Sequence, residues 1–359
     1  MLKQKKKDLK IIIFILLLFA SLTLGTWLSE NKSGEIEKEL TLREKVGQML
    51  IVGFEGKVLD SNLEDFIKEI KPGGLLFLAR NIEDQEQLKK LISDLKKFSS
   101  NLPLPLFFVV DQEGGPISRV TFLKQKTPQS QIENTTAAFN VGFERGRELR
   151  ELGFNLNLAP LLDWSRPGDF IYQRTFQKEP QTIGELAFYL ILGQKKAGIL
   201  TAIKHFPGYG NISFNPERES LPILKSLPPI DQFKIAIASQ PEFIMTANVI
   251  YQKIDDTLPF GISQKGTQFL KRELGEDVLI LSDDLSSKVL KKNFSLKETL
   301  VLAVNSGVDI LIVAGFDDPQ DPKKAIDFLV EGVKEGKISE ETIDRATKKI
   351  IKIKKSMLK

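Results

Sequence analysis

The 359-residue chain has no cysteine and a single histidine, His205. Without cysteine there can be no disulfide, no thiolate nucleophile and no lipid-anchored thiol. With one histidine as well, the chain is short of the ligands from which zinc sites are usually built. No metal and no organic cofactor is therefore expected. No glycine-rich phosphate loop of the Rossmann or Walker type follows an apolar run. A basic stripe with interleaved aromatics is missing too. Residues 1–10, MLKQKKKDLK, account for the whole net charge of +4, and the remaining chain is formally neutral. Nucleic acid is accordingly not an expected partner.

That basic start precedes residues 11–28, IIIFILLLFASLTLGTWL, eighteen residues without a charge. As a helix they would reach roughly 27 Å, close to the roughly 30 Å hydrocarbon core of a bilayer. Lysines ahead of an apolar run keep the N-terminus in the cytoplasm and send the rest of the chain across. The expectation is a single N-terminal transmembrane anchor with an extracytoplasmic main domain. The alternative is the h-region of a cleaved signal peptide, which would give a secreted protein, although such regions are usually shorter. Residues 29–40, SENKSGEIEKEL, read as a polar linker. Folding is expected to begin at TLREKVGQM, where Thr41 and Glu44 have capping-box spacing.

Residues 41–359 then alternate short apolar runs with longer amphipathic segments. The runs are QMLIVGF from 48, GGLLFLA from 73, PLFFVVD from 105, FNLNLAPL from 154, ILTAIKHF from 199, EFIMTANV from 242, VLILSDD from 278 and DILIVAG from 309. Nearly continuous apolar runs are the pattern of strands buried on both faces. Eight of them with helical patterns between predict an α/β fold, a single (β/α)8 barrel of the TIM type. An open doubly wound sheet is the structural alternative. A closing helix is expected from Ser339, which serves as N-cap, with Glu340 and Glu341 in the first turn and lysines at the end.

Unusual polar residues fall at the ends of these runs: Asp111 ends the third, Asp163 follows the fourth, Lys204 and His205 end the fifth, Asn248 ends the sixth, and Asp283 and Asp284 end the seventh. Barrel enzymes place their sites at the C-terminal ends of the strands. Acidic, cationic and amide groups converging without metal-type spacing suit a carbohydrate. Cleaving a β-glycosidic bond then needs a nucleophilic carboxylate and a proton donor on opposite sides of it.

Seven motifs, in order, also carry a family resemblance: LREKVGQMLIVGF, DQEGG at 111–115, NLAPLLD at 157–163, RTF at 174–176, KHFPGYG at 204–210, IMTANVIY at 244–251 and LSDDLS at 281–286. From about residue 40 to the C-terminus the chain resembles the family 3 glycoside hydrolases, in the branch of bacterial β-N-acetylglucosaminidases of peptidoglycan turnover. The resemblance implies that Asp283 is the nucleophile of a retaining reaction. It implies that Asp111, Arg119, Arg174, Lys204 and His205 hold the sugar. Glu113 and Asp163 read as residues that order loops, and Asp284 as an N-cap for the following helix.

The resemblance breaks at the proton donor. In this branch KHFPG is followed by a second His-Gly and then Asp-Ser-His, whose histidine, paired with the aspartate, is the acid/base. Here Tyr209 stands at the second histidine, and Asn215, Pro216 and Glu217 lie over Asp-Ser-His. Pro116 and Asn248 replace residues that are usually arginine and histidine. Glu217 is the expected replacement acid/base, with Glu219 as the alternative if the loop register shifts. Arg218 has no proton to give at neutral pH. The expected activity is exo-hydrolysis of terminal β-linked N-acetylhexosamine. The alternatives are a β-glucosidase specificity, or a catalytically impaired barrel that binds sugar or cell wall as an anchored module.

Overall fold

The computed structural model describes residues 39–357. The expected anchor over 11–28 lies outside the described residues, as does the linker apart from its last two positions. Among the described residues no helix is long and apolar enough to cross a membrane. The chain divides between Thr41 and Leu42, and Leu42–Lys359 forms one compact unit.

Each of the eight apolar runs forms a strand: β1 Leu50–Gly53, β2 Gly74–Phe77, β3 Phe107–Val110, β4 Leu156–Asn157, β5 Leu200–Phe206, β6 Phe243–Thr246, β7 Leu279–Asp284 and β8 Ile310–Val313. They close into one parallel barrel in sequential order, with β1 pairing both β2 and β8. Closure excludes the open doubly wound sheet. β1, β2, β3, β6 and β8 are buried at every position. Barrel walls require this, because one face meets the interior and the other the helices. Aromatic rings pack against the wall: Phe77 meets Phe54 and Phe154 edge-on at 5.0 and 5.1 Å, an arrangement the ring quadrupoles favour.

The helix start and stop signals act locally. The first helix of the barrel begins at Leu42, directly after Thr41, and Glu44 pairs with Lys71 at 2.8 Å. Ser339 caps the closing helix Glu340–Ser356 by accepting from the Thr342 N–H. That helix returns Lys354 into the barrel base, where its ammonium donates to Gln48 Oε1 at 2.6 Å and the Gly73 carbonyl at 2.7 Å.

Two register irregularities interrupt the ladder, one on β5 between Ile203 and Phe206 and one on β7 between Leu281 and Asp284. They bracket Lys204–His205 and Asp283. A break in register re-aims a side chain that strict alternation would leave on a fixed face.

Candidate active site

A cavity of about 180 Å³ opens at the C-terminal end of the barrel, and Asp111, Arg119, Arg174, Lys204, His205, Glu217 and Asp283 all line it. Its floor is an ion network. Lys204 Nζ meets Asp111 Oδ1 at 2.6 Å and Glu113 Oε1 at 2.7 Å. Arg174 grips Glu113 with Nε at 3.0 Å and Nη2 at 2.7 Å. Burial would raise the Glu113 carboxyl, but Arg174 and Lys204 hold it far below the usual carboxylate range. Burial would likewise discharge Lys204, yet Asp111 and Glu113 keep its ammonium above the ordinary lysine value. The floor is therefore a network of mutually stabilised charges.

Glu113 reaches this position because the hairpin Gln112–Gly114 with Ile117–Ser118 turns sharply at Gly114, where φ is +90°. A Cβ there would strike the Thr127 carbonyl and Arg145. Arg145, itself fully buried, donates to the Glu113 carbonyl at 2.6 Å and the Thr127 carbonyl at 2.7 Å. Arg119 lines the cavity with a buried Nε that has no hydrogen-bond partner among the described residues.

Asp163 does not face the cavity. It orders the KHFPGYG loop, accepting from the His205 N–H at 3.0 Å and the Tyr209 N–H at 2.5 Å, with His205 Nδ1 also at 3.0 Å. Burial would raise the Asp163 carboxyl, but His205 and the two backbone donors hold it below its ordinary value. An Nδ1–H directed at this carboxylate leaves Nε2 as the other functional ring atom. The loop-ordering role expected for Asp163 agrees with this geometry, whereas the Glu113 carboxylate holds Arg174 and Lys204 in the cavity floor.

Asp283 is held at both oxygens. Tyr209 donates its hydroxyl to Oδ2 at 2.7 Å, and the Asp284 N–H donates to Oδ1 at 2.8 Å. The same hydroxyl accepts from the Asn248 N–H at 2.7 Å. Glu217 stands at the mouth, exposed on one side and crowded by protein on the other. Loss of hydration, then the charge of Asp283, push its carboxyl up to about 7. Water at the open side softens the first effect. The Glu217 carbonyl accepts from the Val289 N–H at 3.3 Å, which ties its loop to the helix after β7. Glu219 lies elsewhere: its carboxylate accepts from the Asn215 N–H at 2.9 Å within its own loop.

Asp284 does not cap the next helix. Lys288–Asn293 is capped by Ser287, while Asp284 accepts from the Ser286 N–H at 2.9 Å, the Ser286 hydroxyl at 2.6 Å and the Ala314 N–H at 3.0 Å. Those bonds join the end of β7 to the end of β8, and burial raises the carboxyl to about 6. A larger cavity of about 550 Å³, lined by Lys96, Arg150, Lys195 and Glu242, lies at the opposite end of the barrel. Arg150 and Lys195 there donate to the carbonyls of Gly198 and Gln240. Among the described residues no group of His, Cys, Asp and Glu is arranged to hold a metal ion.

Sequence reasoning missed the contact of Tyr209 with Asp283 and the aromatic rim formed by Phe170 and Phe316. The first is a contact between distant segments. The second lies in loops whose only signal is an apolar residue among polar ones.

The fold is matched among known proteins. Residues 41–353 match the family described as "Glycosyl hydrolase family 3 N terminal domain". The beta-hexosaminidase of Nitrosomonas eutropha is 30% identical over 266 residues, 69% of this chain and 75% of that protein. An uncharacterized secreted glycosyl hydrolase of Arthroderma benhamiae is 26% identical over 329 residues, 87% of this chain and 92% of its own length. The solved family 3 beta-N-acetylglucosaminidase of Paenibacillus sp. str. FPU-7 superposes with a TM-score of 0.83 at 29% identity. That likeness covers 89% of this chain and 64% of the longer Paenibacillus chain. With the matched region running through all eight barrel strands, the chain belongs to glycosyl hydrolase family 3.

Proposed function

We propose that this chain is a retaining exo-glycosidase that removes terminal β-linked N-acetylglucosamine from cell-wall or oligosaccharide substrates. We place it outside the cytoplasm, anchored by residues 11–28 or released if they are cleaved. The observation that carries the reading is a pair of carboxyl groups lining one cavity, Asp283 and Glu217. Asp283 accepts from the Tyr209 hydroxyl and the Asp284 N–H, while burial and the charge of Asp283 raise the Glu217 carboxyl to about 7. A carboxyl raised towards neutrality can hold the proton an acid needs, which leaves Asp283 for the nucleophile.

In the first step Asp283 attacks the anomeric carbon from the α face. The bond to the leaving oxygen breaks, and the Glu217 proton passes to that oxygen. In the second step Glu217 takes a proton from water, whose oxygen displaces Asp283 and restores the β configuration. The floor formed by Asp111, Arg119, Arg174, Lys204 and His205 binds and orients the sugar hydroxyls throughout. The exposure of Glu217 favours one other reading, a barrel that binds sugar with little turnover.

Release of 4-nitrophenol from its β-N-acetylglucosaminide, with the β-glucoside alongside, tests the proposal. Asp283→Ala should lose at least about 10³-fold in kcat. Glu217→Ala should lose about 10²–10⁴-fold on a poor leaving group such as a sugar. Azide should restore its deglycosylation and yield the β-glycosyl azide. Folded wild-type protein that releases nothing from either substrate would discard the enzyme reading in favour of the binding module.

A further inference from the structure

The cavity of about 550 Å³ at the base of the barrel falls within the roughly 300–1,000 Å³ of ligand pockets, and the reaction proposed above makes no use of it. Its charged lining is three cations, Lys96, Arg150 and Lys195, against one carboxylate, Glu242. Each cation sits in the last turn of an outer helix, Gln85–Ser99, Thr135–Leu152 and Pro180–Lys196 in turn. Cations there are ordinary, because they offset the negative end of a helix. Their partners set these three apart.

Lys195 is fully engaged. Its ammonium donates to the Ser239 and Gln240 carbonyls at 3.2 and 2.5 Å and lies 3.5 Å from Glu242 Oε1. Glu242 also accepts from the Thr201 N–H at 2.9 Å, so the one carboxylate is taken up. Arg150 donates from Nη1 to the Gly198 carbonyl at 2.8 Å but forms no ion pair among the described residues. Lys96 has less still. Among the described residues its ammonium meets neither a carboxylate nor a carbonyl, and lies 5.7 Å from the centre of the Phe108 ring. The repulsion between the two shows at Lys96, whose ammonium is lowered from the ordinary 10.5 by burial and then by the charge of Arg150. Two glycines make room for them. A Cβ on Gly153 would come within 2.9 Å of Lys96 Nζ, and one on Gly198 would overlap Arg150 Nη1.

We propose that this basal cavity binds an anion carrying a phosphate group, held between Lys96 and Arg150. Two cations without a counter-charge call for more than one negative charge. A phosphate monoester brings about −1.5 to −2 near pH 7 and three strong acceptor oxygens, where a carboxylate brings only −1. The guanidinium fork of Arg150 matches two of those oxygens, and the Lys96 ammonium adds a point charge with free donors. A soluble phosphate ester and a lipid headgroup offer the same group to this pair. The cavity lies at the end of the barrel opposite Asp283, so its ligand and a sugar bind together without competing.

Calorimetric titration of the full chain in a neutral detergent, at fixed ionic strength, tests the site with three probes: inorganic phosphate, glycerol 3-phosphate and glycerophosphoglycerol. At least one should bind with a Kd below about 1 mM. Lys96→Gln and Arg150→Gln should each weaken it about 10- to 100-fold, the effect of losing one charge-assisted hydrogen bond. Lys97→Gln removes a charge from the same helix outside the cavity and should change the affinity less than about twofold. Lys96 has no protein acceptor to lose, so Lys96→Gln should keep the wild-type urea midpoint without phosphate, and it carries the test if Arg150→Gln fails to fold. Preference for phosphate or its monoester assigns the site to a soluble ligand, and preference for the diester assigns it to a lipid headgroup. Folded wild-type protein that binds none of the probes, an affinity unmoved by Lys96→Gln, or an equal loss in Lys97→Gln would overturn the site.

Discussion

Tyr209 stands where the family resemblance expects a second histidine, and its hydroxyl bridges Asp283 and the Asn248 N–H. Asn248 also stands at a position where histidine is usual. Glu217, over the missing acid/base, has its carboxyl raised partly by Asp283. Three departures from the family pattern thus meet around one carboxylate. Tyr209→Phe removes a donor from Asp283 and orphans the buried Asn248 N–H. It should cost about 1–3 kcal/mol in urea unfolding and, for a lost charge-assisted hydrogen bond of about 1.5–3 kcal/mol, roughly 10- to 100-fold in kcat/KM. A variant with wild-type kinetics would remove Tyr209 from the mechanism.

The pH profile belongs to the same scale. Glu217 must carry a proton to act as the acid, so kcat/KM should fall as pH rises through about 7. Glu217→Gln should abolish that basic limb along with most of the activity on sugar leaving groups. The linkage sign agrees: with a folded value above the ordinary 4.5, the native state binds the extra proton. The stability due to Glu217 is then full below about 4.5 and lost as pH rises through about 7.

At the scale of elements, the hairpin after β3 delivers Glu113 beneath the substrate floor, and Glu113 holds two cations that belong to other segments, Lys204 on β5 and Arg174 after β4. Lys204 is only 2% exposed, so removing its partner leaves a buried charge partly uncompensated. Glu113→Ala should destabilise the fold by about 3–5 kcal/mol in urea unfolding, and it should raise KM through misplaced Lys204 and Arg174. A cost within about 0.5 kcal/mol would show that the network relaxes into water. The strands themselves were legible, because each apolar run is longer than the strand it contains. The register breaks on β5 and β7 were not, since they depend on neighbouring strands and leave no mark on hydrophobic periodicity.

At the scale of the molecule, closure joins residues far apart in the chain. β1 pairs β8, and the closing helix carries Lys354 into the base of the barrel beneath Phe107, its ammonium 4.8 Å from the ring centre. Burial lowers the Lys354 ammonium well below the ordinary 10.5. The native state therefore binds fewer protons than the unfolded chain in the window up to 10.5, and stability rises with pH across it. Relative to Lys354→Met, the wild type should gain at least about 1 kcal/mol between pH 7 and 10 in urea unfolding. Parallel curves for the two proteins would show that Lys354 is charged in both states.

What the sequence by itself determined is whatever depends on neighbours along the chain. The apolar runs marked eight doubly buried strands, Ser339 marked the start of the closing helix, and the polar residues at the run ends marked the reactive face of the barrel. Motif order was enough to point to the family. Tertiary structure alone decided which carboxyl group faces Asp283. In the sequence Glu217 is the expected acid only if the loop register holds and Glu219 if it shifts, but folding turns Glu217 towards the cavity and commits Glu219 to the backbone of Asn215. It also made Tyr209 a partner of Asp283 and brought Phe170 and Phe316 to one cavity. A proton's place depends on burial and on charges across space, and barrel closure brings those together from segments with no local signal for one another.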